Sequence, residues 1–222
     1  MCGRFALYTV PVTLARRFLA KASADMKPHY NIAPTQNIPI VREVDGERRF
    51  ALARWGLIPH WAKEMDTGYS KINARAETVS SKPAFRNAFR YRRCLIPADG
   101  FYEWQVRPGS KIKQPWFIVL RDREPMAFAG LWERWRSPEG MELESCSIIV
   151  TEANDLMRPT HERMPVILSP DNWDAWLEPD AKDTQVLQNL LKPYPAEEMK
   201  AWPVSTKVNN PRHDSVECLE PL

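Results

Sequence analysis

The sequence predicts an α+β fold, a single domain over residues 1–222 with a mainly antiparallel, barrel-like β-sheet core and several peripheral helices. Three observations carry that expectation. Strand-like runs outnumber helical periods along the chain. They follow one another directly and do not alternate with helices as βαβ units do. Between two of them, VREV and ERRFALARW, stands Asp45-Gly46, the pair favoured in a two-residue type I′ hairpin turn.

The elements follow in chain order. TVPVTLARRFLA, residues 9–20, reads as a short helix: Thr9 suits its cap, Pro11 its first turn, and Leu14, Phe18 and Leu19 form one stripe. HYNIAPTQNIPIV is an Asn/Pro-rich loop that runs into the hairpin. WGLIPHWAKEMDTGYSKINARAET has no clean period and reads mostly as loop, long enough to suggest function. In SKPAFRNAFRYRR a helix turns Phe85, Ala88 and Phe89 inward. CLIPADGFYEWQV, PWFIVL, MAFAGLWERW, CSIIVTEA and MPVIL are strands separated by turn clusters. SPDNWDAWL is a helix with Ser169 as cap and Pro170 at its first position. DTQVLQNLLK is the last helix, and AWPVSTKVNN returns as strand and loop.

Composition bounds the rest. At 27% charged and 44% hydrophobic residues the chain is an ordinary globular protein, not a disordered one. A net charge of +3 permits an anionic partner without requiring one. The cysteines, Cys2, Cys94, Cys146 and Cys218, are widely spaced and form no CxxC, which argues against a zinc site or a thioredoxin-type pair. Neither GxGxxG nor GxxxxGK[ST] occurs, so neither a metal nor a nucleotide cofactor is expected. No leader segment and no membrane-length apolar run is visible, and a cytoplasmic, reduced, monomeric protein is expected.

The chain opens MCGRF. If Met1 is removed, Cys2 carries a thiol and a free α-amine on adjacent atoms. An α-amine has a pKa of about 7.7–8.0, so about a tenth of it is unprotonated at neutral pH, far more than for lysine. Such an amine attacks aldehydes to give a Schiff base. The thiol can then close a five-membered thiazolidine. The plain alternative is a passive cysteine at a frayed terminus. Asn73 in KINARAET, Glu103 in ADGFYEW and His161 in PTHERMP are further polar candidates between apolar runs. Tyr102 and Trp104 flank Glu103. An aromatic pocket would desolvate the carboxylate and suit it to acid/base work, whereas strand alternation would turn it to solvent. Lys82, Arg86 and Arg90 fall at helical spacing on one stripe, extended by Arg92 and Arg93. Arg4, Arg75 and Arg163 stand beside the chemical candidates. These arginines suit a phosphodiester or form an ordinary solvated face. The apolar WGLIPHW either packs inside or meets the faces of bases.

Taken together, MCGRF, YNIAPTQ, WGLIPHWA, INARAET, the RCLIPADGFYEW block, THERMPVIL and VSTKVNN resemble the SRAP family of SOS-response-associated peptidase-like proteins over essentially the whole chain. The resemblance implies a sensor of abasic sites in single-stranded DNA whose N-terminal cysteine forms a thiazolidine crosslink with the ring-opened sugar. It implies Cys2 as nucleophile, Asn73 orienting the linkage, Glu103 as acid/base and His161 assisting proton transfer at the sugar oxygen. It also implies phosphate contacts from Arg4, Arg75, Arg86 and Arg163, and base-parting residues Trp55 and Trp61. The family name adds a peptidase reading, including self-removal of Met1. Two rivals remain at this level: an N-terminal-nucleophile hydrolase resembling the class II glutamine amidotransferases, which also begin MCG, and a non-covalent single-strand binder.

Overall fold

The computed structural model describes residues 2–21, 26–65, 71–179 and 184–222. The chain runs β1 (Phe5–Leu7), α1 (Pro11–Phe18), β2 (His29–Ile32), β3 (Asn37–Val44), β4 (Glu47–Trp55), β5 (Asn73–Arg75), α2 (Arg86–Tyr91), β6 (Arg93–Ala98), β7 (Gly100–Gln105), β8 (Gln114–Leu120), β9 (Met126–Arg136), β10 (Glu142–Glu152), β11 (Arg163–Pro165), β12 (Ile167–Leu168), α3 (Trp173–Leu177), α4 (Thr184–Asn189) and β13 (Met199–Pro203). Five strands close on themselves in the order β10-β4-β3-β6-β9, because β10 pairs with β4 in parallel and with β9 in antiparallel fashion. Closure removes the sheet edges that would otherwise need protection. The barrel begins at the β3–β4 hairpin, where Val44 faces Glu47 and both turn residues, Asp45 and Gly46, take the positive φ of a type I′ turn.

A second sheet, in the order β13-β8-β7-β1-β2, lies against the barrel. Strand alternation gives it two apolar faces. Phe5 and Phe101 face the barrel and meet Phe128 edge-on, each with ring centroids 5.9 Å apart. Ala6, Tyr102, Phe117 and Val119 face the other way and are covered by Val204, Val208 and Cys218 of the C-terminal tail. The middle of the sheet is therefore buried on both sides.

The α+β reading with a mainly antiparallel barrel holds, and several local readings change. The first helix begins at Pro11, capped by Val10 without a side-chain bond, because Thr9 is engaged elsewhere: its N–H and hydroxyl both go to the Asp99 carboxylate. Leu19 leaves the apolar stripe, taking a left-handed conformation at the helix end with its side chain exposed. His29–Ile32, expected as loop, is an edge strand on β1. KINARAET, also expected as loop, contributes β5, a three-residue strand parallel to β10; three residues are too few to show a period. The helix expected from residue 82 begins only at Arg86, so Lys82 does not share a helical stripe with Arg86 and Arg90. Arg92 and Arg93 do not extend a surface patch. Arg92 pairs with buried Glu133, its Nε 2.8 Å from the carboxylate. Arg93 is buried and donates to the carbonyls of Phe89, Arg90, Trp176 and Glu178, closing the C-terminal ends of α2 and α3. Ser169 precedes a 3₁₀ turn with Pro170 first, as read, but accepts from the Asn172 side chain and caps no backbone. The expected last helix is found over Thr184–Asn189; its first residue, Asp183, lies outside the described residues. No helix among the described residues is long and apolar enough to cross a membrane.

Gly100 shows why ADG precedes the strand that carries Glu103. A Cβ there would lie 2.4 and 2.7 Å from the Phe117 ring and 2.8 Å from the Ile118 carbonyl. Asp99, one residue before, accepts from Tyr8 N–H at 2.5 Å and Thr9 N–H at 2.7 Å, tying the end of β1 to the start of β7. Gly100→Ala should therefore destabilise the protein by about 1–3 kcal/mol through overpacking, read as a lower denaturant midpoint with an unchanged slope. An unaltered midpoint would mean that Phe117 yields freely and that the close packing imposes no constraint.

Candidate active site

Four segments distant in sequence meet where β1 begins. Tyr102 N–H donates to the Arg4 carbonyl at 2.9 Å, and Phe5 pairs with Phe101, so the antiparallel register sets residues 2–4 beside Glu103. Asn73 Nδ2 donates to the Cys2 carbonyl at 2.8 Å, bringing β5 in from the barrel. Asn73 Oδ1 is buried and has no hydrogen-bond partner among the described residues. Cys2 is fully buried, and burial above all, followed by the negative charge of Glu103, pushes its thiol well above the usual range. Glu103 is itself buried. Desolvation raises its pKa, against the opposing pull of the chain's amino-terminal charge, the Trp104 N–H and Lys113. The alternative of a solvent-facing Glu103 is excluded by its 3% exposure. The result is a thiol kept protonated beside a carboxyl poised to hold a proton.

The loop before β11 supplies His161. Its ring is half-buried, and desolvation, with the amino-terminal charge and Lys113 in support, lowers its pKa. Lys113, an exposed residue just before β8, thus acts on both Glu103 and His161. Arg163 follows His161 and pairs with Glu77. Arg75 and Arg163 lie on the two strands that flank the end of β10. Burial works to raise the Glu77 pKa, but its own backbone N–H, Arg163 and Arg75 prevail and lower it. Arg4 is held rigidly: its Nη1 donates to Asn31 Oδ1 and to the Val208 carbonyl, both at 2.8 Å, and its guanidinium lies 5.8 Å over the Trp104 ring.

The structure sets Cys2 against Asn73 and beside Glu103, and His161 feels the same amino-terminal and Lys113 charges as Glu103. Arg4, Arg75 and Arg163 stand two residues along the chain from Cys2, Asn73 and His161. Arg86 is exposed at the start of α2, and no hydrogen bond or ion pair among the described residues links it to that group. Trp55 is not available to part bases. It is fully buried, packs edge-on against Phe5 at 5.2 Å, and donates from Nε1 to the Ile72 carbonyl at 3.0 Å. Its work is to seat the segment that ends in Asn73. Trp61 remains 59% exposed and keeps an aromatic face free to stack. Sequence reasoning missed Lys113, Asn31 and Gln105. Asn31 stands inside YNIAPTQ, and its Nδ2 donates to the Val208, Asn210 and His213 carbonyls. Its motif was visible, but the carbonyls it donates to are 177 or more residues away.

Proteins of similar sequence and shape are known. The family model for SRAP, SOS response associated peptidase, matches residues 1–211. The abasic site processing protein YoqW of Bacillus subtilis is 46% identical over 223 residues, 99% of each chain. The abasic site processing protein HMCES of Gallus gallus is 32% identical over 228 residues, covering 88% of this chain and 67% of that one. A crystal structure of a Bacteroides thetaiotaomicron protein superposes with a TM-score of 0.89 at 26% identity over the whole of both chains. One from Bordetella bronchiseptica gives 0.80 at 31% identity, over 92% of this chain and all of the other. With a family model spanning nearly its whole length and relatives this similar, the chain belongs to the SRAP family.

Proposed function

We propose that the protein processes abasic sites in single-stranded DNA by forming a covalent thiazolidine through Cys2 after Met1 is removed. The observation that carries this reading is the meeting of Cys2 with Asn73 and with a buried Glu103 whose pKa burial raises. Relatives that span the same length are named abasic site processing proteins, which supports the choice of substrate. Exposed Arg75 and the anchored Arg4 and Arg163 suit phosphates on either side of a lesion. Arg86 and Trp61 belong to the same reading as outlying contacts.

The chemistry balances without a cofactor. The α-amine lone pair attacks the aldehyde carbon of the open sugar and gives a carbinolamine. Glu103, protonated, gives its proton to the carbinolamine hydroxyl, which leaves as water, and its carboxylate takes a proton from the nitrogen. The S–H of Cys2 then adds across the C=N bond: sulfur bonds to carbon and the proton passes to nitrogen. Ring closure removes the imine that would otherwise invite β-elimination and a strand break. Asn73 holds the Cys2 carbonyl and so fixes the reacting residue.

Three outcomes are expected. Cys2→Ala should still bind abasic single-stranded DNA but leave no heat-stable adduct on a denaturing gel, whereas Cys2→Ser should nick more and trap less; a stable adduct from Cys2→Ala would sink the mechanism. Glu103→Gln should slow adduct formation by about a hundredfold with little loss of DNA affinity, and a large affinity loss at an unchanged rate would make Glu103 structural. The third outcome is a matter of stability. A carboxyl whose pKa is raised on folding contributes stability that is lost as the pH rises from the ordinary carboxylate value through the raised one. Glu103→Gln should therefore increase Tm at neutral pH, with the gain shrinking toward about pH 4. A Tm gain independent of pH would refute a raised Glu103 pKa.

A further inference from the structure

Two hydrogen bonds outside the reacting pair decide how His161 acts. The Arg163 backbone N–H donates to His161 Nδ1 at 2.9 Å. A backbone amide nitrogen can only donate, so Nδ1 presents its lone pair and the ring proton sits on Nε2. Protonating Nδ1 would set two hydrogens against each other and break the bond. The second contact belongs to Gln105. Its Oε1 accepts from Trp116 Nε1 at 3.1 Å, and its Nε2 donates to the Pro159 carbonyl at 3.2 Å. The indole can only donate and the carbonyl only accept, so the orientation of the amide is settled. Gln105 stands two residues beyond Glu103, on the same face of β7. The strand that carries the acid therefore also holds the loop that carries the histidine. That loop is closed by the N–H groups of Thr160 and His161, which both donate to the Met157 carbonyl at 2.8 and 2.9 Å.

We propose that Gln105 is a positioning residue of the reaction and that it helps to hold His161 as the neutral Nε2–H tautomer, a hydrogen-bond donor and neither a base nor an imidazolium acid. The proposal rests on the reading above and divides the labour within it. His161 holds a sugar oxygen by its Nε2–H, while Glu103 carries protons in both directions; a neutral imidazole suits such an electrophilic role. The charged groups that act on His161 fit this. Burial above all, then the amino-terminal charge and Lys113, disfavours its protonation, while Glu162 in its own loop and the Arg163 backbone contact act the other way and are outweighed. The direction of the Arg163 bond, N–H to Nδ1, still fixes which nitrogen of the neutral ring carries the proton. The Arg163 guanidinium is turned to Glu77.

Long-range ¹H–¹⁵N correlation spectra of the full chain with ¹⁵N-histidine test this without DNA, with His161 assigned from its absence in His161→Gln. The expected pattern at neutral pH is the neutral Nε2–H tautomer. An Nδ1–H or imidazolium pattern at neutral pH overturns the proposal. In Gln105→Ala, and in Gln105→Met, which keeps the bulk, the single tautomer pattern should be lost. Adduct formation on an abasic oligonucleotide should slow about tenfold at unchanged DNA affinity. If either the tautomer pattern or the rate stays at its original value in both variants, Gln105 has no positioning role. Because the spectra need no DNA, they decide the tautomer even for a chain that forms no adduct, an outcome that would sink the proposed reaction instead.

Discussion

The site depends on the seating of one short strand. β1 has only three residues, Phe5–Leu7, too few to be stable alone. It is fixed by β2 on one side, β7 on the other, and Phe5 driven among Trp55 and Phe128 of the barrel. A fully buried phenylalanine is worth about 1.5–3 kcal/mol, and the flanking ladders add directional hold. Once β1 is placed, the register leaves no freedom for residues 2–4: the Tyr102 N–H grips the Arg4 carbonyl, and Asn73 grips that of Cys2. The head of the chain, ordinarily the most frayed part of a protein, becomes one of its more constrained segments.

That constraint carries a cost, which explains the chemistry of the site. Burying a carboxyl and a thiol next to each other disfavours the ionised form of both, and Glu103 and Cys2 both shift upward accordingly. A fold selected for stability alone would place apolar groups there. The surrounding structure offsets the cost with ordinary packing: the sheet beneath Glu103 is covered on both faces, by the barrel through Phe101 and by the C-terminal tail through Tyr102 and Phe117. The same burial that costs the fold stability shifts the Glu103 carboxyl upward, toward holding its proton.

Much of this was legible in the sequence, and the limits are physical ones. The β3–β4 hairpin was readable because Asp45-Gly46 encodes its turn locally. Cys2, Asn73, Glu103 and His161 were readable as candidates because chemistry restricts which residue types can do the work. Neither periodicity nor composition could show that Trp55 lies in the core and Trp61 at the surface, since the two sit only six residues apart, one ending β4 and the other in the irregular stretch that follows. The arginines divide in the same way. Arg93 and Arg86 look equivalent in sequence, yet one is spent on four main-chain carbonyls and the other stays exposed. A guanidinium serves a helix end as readily as a phosphate, and only the fold decides which it meets.

The parts of the site that sequence could not reveal are those that join its remote segments. Asn31 binds Arg4 on one side and the carbonyls of residues 208, 210 and 213 on the other. Asn209 accepts from Trp104 Nε1 at 2.7 Å, and Gln105 reaches Pro159. These side-chain amides span 27 to 182 residues. Each can donate and accept at once, which suits it to a junction where main chains arrive from different directions. The head of the chain is thus positioned by residues near its tail. Contacts of such sequence separation form late, after the loop-closure entropy between them has been overcome. Arg4 and Trp104 cannot take their places until residues 208–210 have been synthesised and folded back. The arrangement ties the placing of Arg4 and Trp104 to completion of the fold.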